Sequence, residues 1–341
     1  MSRILIYTQQ PVLGGSLRML LNLARHLASR HEVTVALPPV PYAAHRHDLL
    51  RHYRDLTIID PQTAMAAAAS FDVLVGHFPF EIDELARAYF PRKIAVSMEI
   101  ISRHGPIIDE DTTGLFDRIV HLHPDQVAHL SASTREKLCA ELPIINNVDF
   151  EPDFEATRYL ASVGGLLKLD LAAALETVRR TRGIRGLRIH SVPTVRLRRA
   201  GLSPGKQLRA WRYRATGRLS IQRPELDVRR LYRSFDCLVH TPAESNGTSV
   251  VVSDALTSGR LVLLSPLESH RRAYAGLAGV HFADEVGADI TDLLAGYDTR
   301  TGRRIRESYR SRYDRGDVLR QWESEPVRNR RAYIPPDRDE Q

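Results

Sequence analysis

Asp254 carries the carboxylate whose setting most suggests ligand chemistry. It lies in the stretch LYRSFDCLVHTPAESNGTSVVVSDALTSGRLVLLS, residues 231–265. FDCLVH, residues 235–240, is an apolar run of strand length, and residues 241–247 are turn formers. Thr248 or Ser249 is positioned to cap the helix that follows, and Gly259 to end it. Free amides at such a helix start suit a phosphate, and an acidic side chain further along accepts hydrogen bonds from a ribose diol. Gly247 and its neighbours Thr248 and Ser249 would then cradle the anion. A solvated aspartate and an ordinary turn glycine are the plainer readings of the same residues.

Other residues invite a chemical reading. Gly14 and Gly15 stand where a first strand turns into a helix, so the backbone can approach an anion closely there; a tight loop without ligand explains them equally. Lys168 follows the diglycine Gly164-Gly165 in a chain with only four lysines. A phosphate contact and a solvated lysine both fit it. Asp109 and Asp111 are spaced to hold a divalent cation, but they precede a helix-like segment at 115–118, where acidic residues complement the helix dipole. His121, His123 and His129 lack metal-ligand spacing with a third partner. No metal is assigned.

These residues are positioned by alternating apolar strands and helices. RILIYT (3–8) and HEVTVAL (31–37) read as strands around a helix at 17–29. Further strands are expected at 56–59, 71–77, 94–98 and 119–122, with an Ala-rich helix at 63–70 and a helix at 133–141. PIINNVD (143–149) reads as a last strand and an Asn-rich turn. A linker at 151–155 puts a domain boundary near residue 150. The second half repeats the grammar: a strand at 158–163, a helix at 169–182, a strand at 186–191, then the 231–265 unit, a strand at 279–282 and helices at 290–294 and 303–322. The expected class is α/β, with two Rossmann-like domains facing across a cleft. They span residues 1–150 and 151–310. A helix and tail at 311–341 can pack back onto the first.

Composition sets outer limits. The 341 residues and 43% hydrophobic content suffice for two cores. The net charge of +7 comes from arginine, a bias that most simply reflects GC-rich coding and limits what each arginine signifies. Cys139 sits in a helical pattern and Cys237 in a strand, both read as small buried residues in a reducing compartment. No run is long enough to span a bilayer, and the N-terminal apolar core is too short for a signal peptide. A cytoplasmic protein is expected, with peripheral membrane contact open. Between Arg196 and Arg218 basic residues interleave with Trp211 and Tyr213. Such a patch attracts anionic lipid, an acidic substrate or nucleic acid, and an Arg-rich solvated surface is the plain alternative.

Taken together, GGSLR (14–18), FDVLVGHFP (71–79), IINNVDF (144–150) and the 231–265 stretch resemble the retaining GT-B glycosyltransferases of family four. The last follows the family's Tyr…Asp…Pro-Ser…Glu-x7-Glu-Ala…Ser-Gly-x-Pro-Val signature. The resemblance implies a hexosyltransferase-like enzyme that moves a sugar from a nucleotide-diphosphate donor with retained configuration, without metal or cofactor. The acceptor it leaves open: a saccharide, a lipid-linked group or a small molecule. In this register the signature glutamates fall on Asn246 and Asp254. Asp254 inherits the ribose role with shorter reach, and Asn246 or Glu244 the role near the sugar ring. His77 ends the family's Asp-hydrophobic strand. Glu99 replaces the histidine that often follows the next strand, and Gly165 stands where an arginine is usual. Lys168, the amides of Gly14 and Gly15, those of residues 247–249, and Arg18 are expected to face the departing diphosphate. The alternatives are a nucleotide-sugar epimerase or non-sugar-coupling relative, a catalytically weak donor-binding protein and, ranked last, an arginine-patch nucleic-acid binder.

Overall fold

The computed structural model describes residues 1–10, 14–38, 49–98, 106–148, 150, 155–164, 170–190, 204–223, 225, 227–242 and 248–327. The chain builds two parallel sheets. The first contains β1 (Arg3–Thr8), β2 (Glu32–Ala36), β3 (Thr57–Ile59), β4 (Val73–His77), β5 (Arg92–Ser97), β6 (Arg118–His121) and β7 (Cys139–Glu141), in the order β3-β2-β1-β4-β5-β6-β7. The second contains β8 (Tyr159–Val163), β9 (Gly186–His190), β10 (Leu219–Gln222), β11 (Cys237–His240), β12 (Leu261–Leu264) and β13 (Val280–Phe282), in the order β10-β9-β8-β11-β12-β13. All pairings are parallel, which requires apolar residues on both sheet faces; the fully buried runs of β4 and β12 meet that demand. In each sheet the strand order reverses once, at β1/β4 and at β8/β11. In open α/β sheets, such switch points are where ligands bind, at the strands' carboxyl ends.

Seven helices frame the domain junction and the surfaces beside it: α1 (Gly15–Leu27), α2 (Leu171–Arg180), α3 (Pro204–Ala215), α4 (Val250–Thr257), α5 (Glu268–Tyr274), α6 (Thr299–Arg312) and α7 (Arg315–Val327). α1 forms because Leu17, Leu20, Leu21, Ala24 and Leu27 recur at helical spacing, and all are buried against the first sheet. The core on that side also takes in Val250 of α4 and Val318, Leu319 and Trp322 of α7. Trp322 is 2% exposed and donates its indole N–H to the Pro143 carbonyl at 2.8 Å. The last helix therefore crosses from the second sheet to seal the first. Gly259 ends α4 at φ +70°, a left-handed turn that favours glycine.

Several elements differ from the sequence pattern, and the helix expected at 303–322 is two, α6 and α7. The helix expected over 133–141 runs only over Ala132–Leu138; Cys139–Glu141 leaves it to pair with β6. That sheet edge otherwise exposes unpaired backbone groups, and three residues of ladder outweigh one more helical turn. The strand expected at 143–149 forms no ladder: described residues 142–148 are a buried connector, with Asn147 bonded across the domain junction. The helix expected at 115–118 begins earlier, as the single turn Glu110–Thr113. There Asp109 and Thr112 form a reciprocal capping box, so Asp109 rather than Asp111 is the cap and Arg118 is left to open β6.

Candidate active site at the domain junction

The site is assembled from the carboxyl ends of β1, β4 and β6, the start of α1 and the start of α4. Thr8 and His77 are register partners on β1 and β4, at the switch point of the first sheet. The Thr8 hydroxyl lies 3.0 Å from His77 Nδ1, while Nε2 is buried without a protein hydrogen-bond partner. Burial holds the imidazole neutral by lowering its pKa to about 4. Nε2 is thus a neutral, buried ring nitrogen with no protein partner among the described residues.

Gly14 caps α1 in extended conformation, and α1 opens with Gly15 directly against the second domain. A Cβ on Gly15 would sit 3.1 Å from the Val250 Cβ. The close approach of two helix starts therefore depends on a missing side chain. One turn on, Arg18 donates to the Glu225 carbonyl and Asn22 donates to the Asn147 Oδ1, so α1 is tied both to the second domain and to the connector.

Thr248 and Ser249, where α4 begins, are occupied by protein. Thr248 donates its hydroxyl to the Leu122 carbonyl at 3.1 Å, bridging to the loop after β6. The Ser249 amide donates to the Tyr274 hydroxyl at 2.6 Å, and that hydroxyl lies 3.2 Å from the Ser249 carbonyl. Ser249 is the N-cap, but its side chain makes no capping bond. Tyr274 of α5 fixes this helix start, a role nothing in sequence spacing signals.

Asp254 is 2% exposed. One carboxylate oxygen accepts the Asn147 backbone N–H at 2.6 Å and the other the Asn147 side-chain amide at 2.8 Å. Burial raises its pKa to about 6, against the opposing pull of those two bonds and of the Arg18 and Arg315 charges. Both oxygens point at the connector of the first domain. Asn22, Asn147 and Asp254 thus form a polar clasp across the junction, with the Asn-rich segment 146–147 as its middle member.

The end of β6 and the loop after it contribute further imidazoles. His121 is pushed down to about 4 by burial and His123 is lowered for the same reason. Gln126 Oε1 accepts the amides of Leu122 at 2.8 Å and His123 at 3.2 Å, which fixes the loop against Thr248. His270 of α5 is also lowered by burial, and its ring lies 5.6 Å from that of His240 at the end of β11. His121 and His123 have no metal-ligand spacing in the sequence; only the tertiary fold brings their loop beside Thr248. No group of three metal-ligating side chains occurs among the described residues. Glu99, Lys168, Glu244, Asn246 and Gly247 lie outside the described residues.

This architecture recurs in solved structures. Anabaena HepE in complex with UDP-glucose superposes with a TM-score of 0.70 at 11% identity, covering 95% of this chain and 99% of that one. The fold is GT-B. A glycosyltransferase from Rickettsia africae aligns with a TM-score of 0.66 at 11% identity, over 96% of this chain and 99% of that one. WaaG, a glycosyltransferase of lipopolysaccharide biosynthesis, aligns at 0.62 and 12% identity, over 96% of this chain and its full length. No protein-family model and no curated protein matches the chain. Among the described residues no helix is long and apolar enough to cross a membrane.

Proposed function

We propose that this chain transfers a sugar from a nucleoside-diphosphate donor to an acceptor hydroxyl, with retention at the anomeric carbon. One observation carries the reading: the starts of α1 and α4 meet at the switch point of a GT-B fold, so closely that a Cβ on Gly15 would come within 3.1 Å of Val250. Helix N-termini favour the growing negative charge of a diphosphate leaving group, and here two of them lie side by side. Anabaena HepE and TarM, which share the fold, have been solved with UDP. That makes a uridine nucleotide the first donor to test.

As the sugar–phosphate bond breaks, its electron pair passes to the diphosphate oxygen. Arg18, on the first turns of α1, and Lys168 are the cations assigned to that charge. His77, neutral near pH 7, is suited to a hydrogen bond with a sugar or acceptor hydroxyl rather than to charge compensation. Glu244 or Asn246 is proposed near the sugar ring, and Glu99 on the acceptor side. Asp254 is proposed to serve the donor by holding Asn147 in place. The direct ribose contact expected from sequence would require the Asn147 bonds to yield.

The deciding experiment incubates the protein with UDP-, GDP-, ADP- and TDP-sugars, with saccharide, lipid-linked and small-molecule acceptors. Product mass and the anomeric proton coupling are then read. A new glycoside of unchanged configuration is expected; an inverted product would reject retention, and absence of binding to every donor would reject the reading. A donor-binding protein with little catalysis is the second reading, favoured by the engagement of Asp254 with Asn147. It predicts donor affinity and slow hydrolysis with no glycoside.

A further inference from the structure

α3 is built with its apolar side turned outward. Leu208, Trp211, Arg212 and Ala215 follow one another at helical spacing and all four are exposed, Leu208 and Trp211 each at 67%. Among the described residues, the side facing the second sheet carries fully buried Ala210 and half-buried Gln207, Arg209 and Tyr213. The helix's largest apolar side chains therefore contribute nothing to the core. Removing a tryptophan and a leucine from water is strongly favourable, so this stripe is a surface with an unmet partner.

The charge around the stripe identifies the partner's chemistry. From Glu176 to Glu225 the chain carries thirteen arginines and one lysine and no carboxylate between them. Arg212 and Arg214 are exposed on α3, and Arg218 lies over the Tyr213 ring at 5.2 Å. The carboxylate facing α3 is Glu176 of α2, and it is shared among Arg179, Arg180 and Arg209. The field over the stripe is thus positive. A helix presenting an exposed tryptophan and leucine, rimmed by arginines that can reach headgroup phosphates, matches the interface of an anionic bilayer. Nucleic acid would use the arginines and could stack on Trp211, but it gives Leu208 and Ala215 nothing to bind.

We propose that the outward stripe of α3 docks the donor-side domain onto an anionic lipid bilayer, with Leu208 and Trp211 inserted between headgroups. The full-length protein is to be sedimented with vesicles of phosphatidylglycerol and phosphatidylcholine, and with phosphatidylcholine alone, while tryptophan emission is followed. The chain has two tryptophans and Trp322 is buried, so a blue shift reports Trp211. Binding to the anionic vesicles with a blue shift is expected, weakening as salt rises. Joint replacement Leu208→Ser and Trp211→Ser should cut partitioning at least about tenfold, and each of Arg212→Gln and Arg214→Gln about fivefold. All four side chains are exposed, and an unchanged circular dichroism spectrum verifies folding. Equal binding to neutral vesicles, no binding at low salt, or indifference to the Leu208/Trp211 change would overturn the proposal. So would vesicle binding abolished by a short duplex or single-stranded oligonucleotide that itself requires Trp211. The measurement needs no nucleotide sugar, so its failure leaves the transferase reading untouched.

Discussion

The protonation of Asp254 offers a quantitative test of the domain junction. Burial raises its pKa from 3.8 to about 6. The folded chain therefore holds a proton that the unfolded chain has released between those values. Stability from this group is complete below pH 3.8 and is lost as pH rises through about 6. A gap of about two pH units corresponds to about 3 kcal/mol, of which about 2 kcal/mol falls between about pH 4.5 and 7. Buried His77, His121 and His190 act in the opposite direction: burial lowers each from 6.5 to about 4, so their contribution is lost as pH falls through that window. The wild-type curve alone mixes the two signs. Asp254→Asn isolates one of them, because asparagine does not titrate and leaves the histidines unchanged. One Asn147 N–H then loses its acceptor, a pH-independent offset of about 1–3 kcal/mol. Urea unfolding of both proteins from about pH 4.5 to 7.5 should give a stability difference that shrinks by about 2 kcal/mol as pH rises. A difference flat across that range would refute the raised pKa and the desolvation by burial that causes it.

Other perturbations address separate parts of the junction. Arg18→Ala should weaken donor binding by about tenfold to hundredfold in calorimetry, the worth of a charge-assisted contact, with the thermal midpoint moving far less. Gly15→Val brings a branched side chain against Val250, and should open the junction and abolish donor binding while each sheet remains folded, read by small-angle scattering and calorimetry. Tyr274→Phe removes both bonds at the start of α4, and should cost about 1–2 kcal/mol in urea unfolding. Trp322→Ala should cost about 3–5 kcal/mol and release α7 from the first domain, visible as faster proteolysis after residue 312.

Much of the architecture was legible because it rests on local rules. RILIYT, FDVLVGH and FDCLVH announce buried strands by unbroken apolar runs, and the leucines of α1 announce a helix by spacing. Errors arose where a non-local partner decided. Cys139–Glu141 reads as helix by itself and becomes strand because β6 offers an open edge. Residues 143–149 read as strand, and the described ones, 143–148, become a connector because Asn147 is engaged by Asp254. α3 and β10 went unread because an arginine-dense segment hides its periodicity behind charge.

By itself, the sequence determined two α/β halves, glycines at the first helix start, a helix start after β11, and arginine-rich surroundings for Trp211. These follow from steric and solvation preferences that act within a few residues. Only the tertiary structure decided that Asp254 meets Asn147, that Tyr274 holds Ser249, that His77 bonds Thr8, and that Trp211 faces outward. Hydrogen-bond partners and burial depend on which distant segments share a volume, and chain spacing carries no record of that.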